Sequence, residues 1–301
     1  MSYGTLEEIF EEFLDAKTAL GLSKKTVETY SQHFRSVRPY LDVTVPIEDV
    51  DARMIRRAVS ALSRKGISPN SIRSYTATLK SFFSWCRSEG LCDVDFALFR
   101  GVETIPQTYS REELEKLLKQ PDFRRCGYIE YRTWVIINLL VNNGMRAASV
   151  REIQNRDVDL EKGVIVLRHT KTRKTLTMPL STEMKNILTR FMRYRKGDPE
   201  DYLFCEDDGY MMSEDALRKS IARYNRSRGV KKTGIHMFRH TFAKMYIENG
   251  GNAFKLQKLL GHSTLAMTKH YVTLYDEEIL KDYDLESPLM MFKAKKKRVM
   301  K

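Results

Sequence analysis

The sequence has no apolar run long enough to cross a bilayer. Its longest, Trp134 to Val141, falls far short of the ~20 residues a spanning helix needs. It also lacks a secretory leader pattern, because MSYGTLEEIFEEFL is acidic and amphipathic. Cysteine is scarce: Cys86, Cys92, Cys126 and Cys205 are scattered with no CxxC pair, which excludes a disulfide scaffold and predicts a reducing, cytoplasmic setting. There is no phosphate-cradling glycine loop, no acidic metal cluster and no 20–50-residue repeat. Acidic residues are the minority, 39 against 52 Lys and Arg, leaving a net charge of +13. A surplus of that size implies a polyanionic partner, nucleic acid or an acidic membrane surface. Hydrophobic residues make up 42% of the 301, enough for packed cores, and the length suggests about two domains.

What is present in the first hundred residues reads as a helical bundle. Thr5 and Glu8 have capping-box spacing ahead of an apolar stripe at Leu6, Ile9, Phe10, Phe13 and Leu14. A second helix is predicted from near Ser23, carrying Val27, Tyr30, Phe34 and Val37. A third starts near Asp51, carries Ile55, Val59 and Leu62, and stops at Gly66. The fourth opens with Ser68-Pro69, an N-cap followed by proline at the first helical position, and runs to Gly90. Short connections between such helices make a compact bundle. The stretch 101–108 has no periodicity and contains Pro106, so it reads as a linker, and the domains are expected at 1–103 and 104–301.

The second domain is mixed, which makes the fold class mainly α with a small β-sheet. Ser110 and Glu113 cap a new helix, and 128–141 is a strongly apolar one. Two β-rich runs, 163–169 and 175–180, flank the basic turn at 170–174 and predict a hairpin, with a further short strand at 202–205. Helices are expected at 181–195, 213–228, 236–249, 252–260, 263–272 and 276–284. The tail from Phe292 is basic with no acid.

Candidate phosphate contacts follow from the basic and small polar residues at helix starts. Lys24 and Lys25 open the second helix; Asn70, Ser71, Arg73, Ser74 and Lys80 lie on the fourth. Lys and Arg neutralise phosphates, and helix N-termini with Ser or Asn position on them. Ordinary solvated helix faces are the competing reading, and the whole-chain charge favours DNA.

Four of the six histidines fall between 236 and 270. The spacing His236-x-x-Arg239-His240 places three polar side chains on one helix face. Burying them is costly unless something anionic meets them. Gly261 is a plausible helix C-cap that puts His262 at a turn, and Tyr271 follows nine residues on. A zinc site is the rival reading of HxxxH, but the glutamate of HExxH is absent and no cysteine is near.

Asn143-Gly144-Met145-Arg146, the basic turn around Lys171, His236-x-x-Arg239-His240, Leu260-Gly261-His262 and Tyr271 together resemble the tyrosine recombinases, or phage-type integrases. The order and separations match, and the resemblance spans the chain, because the N-terminal bundle looks like that family's SAM-like core-binding domain. The run 256–271 is similar to integrases of bacterial mobile elements. One position departs: Ser149 stands where the family usually carries Glu or Asp, implying a changed support for Arg146. The chain starts its bundle near residue 5, so it resembles the shorter, two-domain members.

The resemblance implies a site-specific DNA recombinase. Arg146 and Arg239 would clamp the two non-bridging oxygens of a scissile phosphate, a task that suits the guanidinium fork. Tyr271 would be the nucleophile, with His236 as base, His262 hydrogen-bonding the phosphate and Lys171 protonating the leaving 5′ oxygen. Arg173 and Lys174 would touch DNA beside it. The product is a 3′-phosphotyrosyl link, so bond energy is conserved and neither cofactor nor metal is called for. The implied partners are double-stranded DNA with inverted-repeat core sites and a homo-tetramer on two duplexes, with an accessory DNA-bending factor optional. The helix at 276–284 with the segment from Ser287 would pack into a neighbouring protomer and couple active sites, the competing reading being a cover for the catalytic domain of its own chain. The alternatives are a non-catalytic DNA-binding regulator on the same scaffold and a type IB topoisomerase-like relaxation activity.

Overall fold

The computed structural model describes residues 3–102, 104–168, 175–206, 209–262, 264 and 268. The chain divides into two compact units, Met1–Ile105 and Pro106–Lys301.

The first unit is helical. Helix α1 (Leu6–Ala19) starts at the Thr5–Glu8 capping box, α2 (Lys24–Val37) at Ser23, α3 (Ala52–Arg64) at Asp51 and α4 (Pro69–Ser88) at Ser68. Each cap side chain accepts a backbone N–H that the first turn leaves unpaired. Short 3-10 turns at Arg38–Tyr40 and Ile47–Asp49 complete the α2–α3 connection. The core is aromatic: Phe10 stacks on Phe34 at 3.8 Å between centroids, and Phe82 meets both Phe10 and Phe13.

The second unit surrounds α6 (Tyr128–Asn143), buried along most of its length. Helix α5 (Arg111–Leu118) precedes it from the Ser110–Glu113 capping box, and Trp134 donates to the Leu118 carbonyl at 2.9 Å. The five-residue α7 (Ala147–Arg151), too short to show a period, follows. Strands β1 (Val158–Asp159), β2 (Val164–Leu167) and β3 (Leu176–Pro179) form an antiparallel sheet in the order β1-β2-β3, with Val164 opposite Pro179 and Leu167 opposite Leu176. Helices α8 (Thr182–Arg195), α9 (Glu214–Ser227), α10 (Ile235–Glu248) and α11 (Ala253–Leu260) complete it.

The predicted hairpin is present, but the strand expected at 202–205 is not part of the sheet. Leu203 and Phe204 are both fully buried, a consecutive pattern that no half-buried strand allows. Tyr202 makes only an isolated bridge to Gln154, and the third strand is instead Val158–Asp159. The helices expected at 263–272 and 276–284 lie outside the described residues, apart from Thr264 and Thr268.

Two ties position the elements that carry the site. Asn143, at the end of α6, donates to the Pro179 carbonyl at 2.7 Å and fastens α6 to β3. Tyr109 stacks on Phe238 at 4.3 Å and accepts Asn225 at its hydroxyl, while its backbone N–H donates to Thr241. This fixes α10 against the start of the unit. Burial pushes the Tyr109 phenol up to about 12, so it stays neutral as a donor to the Gly234 carbonyl.

Candidate active site

Helix α6 stops at Gly144, whose left-handed conformation (φ 61°) ends the helix as a C-cap. Helix α11 stops the same way at Gly261 (φ 59°). Each stop leaves carbonyls outside the helical ladder, where a cation is favoured by the dipole. Arg239 of α10 reaches both: Nη1 donates to the Gly144 carbonyl at 2.9 Å and Nη2 to the Leu260 carbonyl at 2.7 Å. The residue is only 7% exposed.

The α11 stop turns the chain so that His262 faces the same guanidinium, with Arg239 Nη2 2.9 Å from His262 Nε2. His262 Nδ1 lies 2.9 Å from Thr268 Oγ1, and its carbonyl accepts from Gln257 at 3.3 Å. Arg146 follows the Gly144 turn. A Cβ built on Gly261 would sit 3.7 Å from Arg146 Nη1, so that fork lies against the α11 cap. Burial, then the Arg239 and Arg146 charges, push His262 down to about 4. Two guanidiniums and a neutral imidazole therefore share one buried-to-half-buried corner.

His236 sits one turn before Arg239 but faces elsewhere. It is exposed, and with the half-buried His240 it lines a cavity of about 930 Å³. The expectation that the face shared by His236, Arg239 and His240 buries both imidazoles and the guanidinium is thus corrected: only Arg239 is buried, drawn into the core by carbonyls. The cavity is also lined by Ala147, adjacent to Arg146, and by Arg218, Arg223 and Arg226 of α9. Those basic residues were not singled out from the sequence, although their spacings of five and three residues along one helix were there to be read.

Lys171, Arg173, Lys174 and Tyr271 lie outside the described residues. Ser149 is half-buried and lines a separate cavity of about 170 Å³ shared with Glu152, Asp157 and Arg168. There Asp157, itself buried, accepts Arg168 Nε at 2.6 Å. In the first unit, Lys24, Lys25 and Arg73 are exposed. Asn70 accepts from the Val102 N–H at 3.1 Å, and Ser74 donates to the Asn70 carbonyl. Ser71 bonds the Ser68 cap at 2.8 Å. Lys80 donates to the Phe96 carbonyl at 3.0 Å and pairs with Asp95. Asn70 and Lys80 therefore tie down the segment after α4. Thr268 and the Gly144 carbonyl are the site groups that sequence reasoning missed. The first has no local signal, and a backbone oxygen has no signature at all.

Known proteins resemble this chain in sequence and in fold. The sequence profile of the Phage integrase family matches residues 107–278, and that of the phage integrase N-terminal SAM-like domain matches 10–90. Tyrosine recombinase XerA of Thermococcus kodakarensis is 30% identical over 280 residues, covering 91% of this chain and 93% of the relative. Tyrosine recombinase XerC of Thermodesulfovibrio yellowstonii is 27% identical over 288 residues, covering 91% and 93%. Among solved structures, the Tn1549 transposon integrase in complex with a circular intermediate DNA superposes with a TM-score of 0.74 at 22% identity, covering 89% of this chain and 95% of that one. A lambda integrase dimer bound to a core site gives 0.73 at 18%, covering 89% and 95%. At these identities the structural likeness speaks for the fold.

Proposed function

The chain belongs to the phage integrase family of tyrosine recombinases, and on that premise we propose that it recombines DNA at specific sites through a covalent 3′-phosphotyrosyl intermediate. The observation that carries the proposal is the convergence of Arg146, Arg239 and His262 on one corner beside a basic cavity. The Tyr271 phenolic oxygen attacks phosphorus and the P–O5′ bond breaks. The phenolic proton passes to His236, and Lys171 protonates the departing 5′ oxygen. Negative charge builds on the two non-bridging oxygens, and the two guanidiniums stabilise it. Arg239 arrives already aligned by two carbonyls, so its reorganisation is not added to the barrier. A free 5′ hydroxyl from a second strand reverses the step and exchanges the strands.

The partners in this reading are double-stranded DNA carrying inverted-repeat core sites and a homo-tetramer spanning two duplexes. Integration and excision of a mobile element is the finer reading, supported by the resemblance of 256–271 to such integrases. The test is a nicked duplex that traps the covalent intermediate. Wild type gives an SDS-resistant protein–DNA band and Tyr271→Phe gives none. A band from the Phe variant removes Tyr271 as nucleophile, and no band from wild type on any cognate site favours the non-catalytic regulator.

A further inference from the structure

The contacts of His262 decide where its proton sits. A guanidinium only donates hydrogen bonds. Arg239 Nη2 stands 2.9 Å from His262 Nε2, so that nitrogen presents its lone pair. The ring is neutral at ordinary pH, pushed down by burial and the two arginines. Its single proton is therefore on Nδ1, and Nδ1–H donates to Thr268 Oγ1 at 2.9 Å. Thr268 is fully buried, so water does not substitute for its oxygen as acceptor.

We propose that Thr268 is a positioning residue for the recombination site: its hydroxyl holds His262 as the Nδ1–H tautomer, which aims the Nε2 lone pair at Arg239 and orients that guanidinium before DNA arrives. In the DNA-free protein His262 is thus an acceptor that sets an arginine, whereas the family resemblance assigns it a hydrogen bond to phosphate. If the ring carried its proton on Nε2, that hydrogen would point at an arginine N–H, and the two would repel. Arg239 would then be held by the Gly144 and Leu260 carbonyls with less control over the rotation of its fork. The proposal rests on the recombinase reading for its functional meaning, but its structural core does not.

The test is nitrogen NMR on the full-length, DNA-free chain labelled with ¹⁵N-histidine, with His262 assigned by loss of its signals in His262→Gln. The expected result is a protonated, pyrrole-type Nδ1 and an unprotonated, pyridine-type Nε2 in wild type and in Thr268→Ser. Thr268→Val, which keeps the shape and removes the acceptor, is expected to give mixed or exchanged tautomers. On the nicked substrate its cleavage rate falls about three- to tenfold, the scale of one neutral hydrogen bond, with DNA affinity little changed. Thr268→Ser restores the rate. A protonated Nε2 in wild type overturns the proposal without need of any variant, as does a Val variant with wild-type tautomer and rate. If the wild-type tautomer is as expected but no protein–DNA band forms on cognate sites, the recombinase reading fails and the tautomer assignment stands.

Discussion

Gly144 carries two constraints that a single methyl group tests together. Its φ of 61° is left-handed, and a Cβ there would lie 2.4 Å from Phe242 Cδ1, far inside contact distance. Gly144→Ala therefore combines left-handed strain of roughly 1–2 kcal/mol with overpacking of roughly 1–3 kcal/mol, for a loss of about 2–5 kcal/mol. Gly229 supplies the control, because it is equally left-handed (φ 71°) with nothing within 4 Å of a built Cβ. Gly229→Ala loses only the strain, about 1–2 kcal/mol. The two tryptophans are Trp85 in the first unit and Trp134 in the second. Urea unfolding followed by Trp134 fluorescence in a Trp85→Phe background therefore reports the second unit. The Gly144 variant unfolds about 1–3 kcal/mol below the Gly229 variant, and that difference shrinks when both are measured in a Phe242→Ala background, where the ring a Cβ would meet is gone. Cleavage of nicked DNA by the Gly144 variant also falls further, because the Gly144 carbonyl that holds Arg239 moves with the strained turn. Equal stabilities within about 0.5 kcal/mol would refute the steric reasoning.

Three further outcomes follow from the described side chains. His262 has a folded-state pKa of about 4 against an ordinary 6.5, so the unfolded chain binds a proton in that window that the folded chain excludes. Its contribution is complete above about pH 6.5 and is lost as pH falls toward 4; the wild-type urea midpoint minus that of His262→Gln should shrink over that interval, and a pH-independent difference would contradict the buried neutral imidazole. In the first unit, Lys24→Ala and Arg73→Ala should each lower the salt slope of DNA binding by about 1 without altering sequence preference. Lys80→Ala should instead register in thermal stability, because Lys80 is engaged with Asp95 and the Phe96 carbonyl; a salt-slope change there without a stability change would reverse the assignment.

What the sequence made legible was whatever is decided locally. Ser68-Pro69 announces α4 because an N-cap and a pre-set φ act within one turn, and Ser110 with Glu113 announces α5 for the same reason. Gly261 was readable as a helix stop, which put His262 at a turn. Burial decided elsewhere was not legible. Tyr202 to Cys205 has strand-like composition, yet Leu203 and Phe204 both face the core and the ladder goes to Val158–Asp159. The motif named Arg239 and His262 but not the direction in which Arg239 is pulled. That direction comes from carbonyls at two helix ends more than a hundred residues apart in the chain. Thr268 joins the imidazole only through the tertiary fold.

The anchorage of Arg239 on two main-chain oxygens has a practical corollary for retargeting. Main-chain oxygens are present whatever residue occupies a position, so exchanging cavity-lining side chains such as Arg218, Arg223 or Arg226 leaves that arginine's moorings chemically intact. On the proposed recombinase reading, new cognate sequences can be sought by varying the cavity-lining α9 surface while the Arg239 end stays unaltered. The two glycine stops are the positions such a library should hold constant.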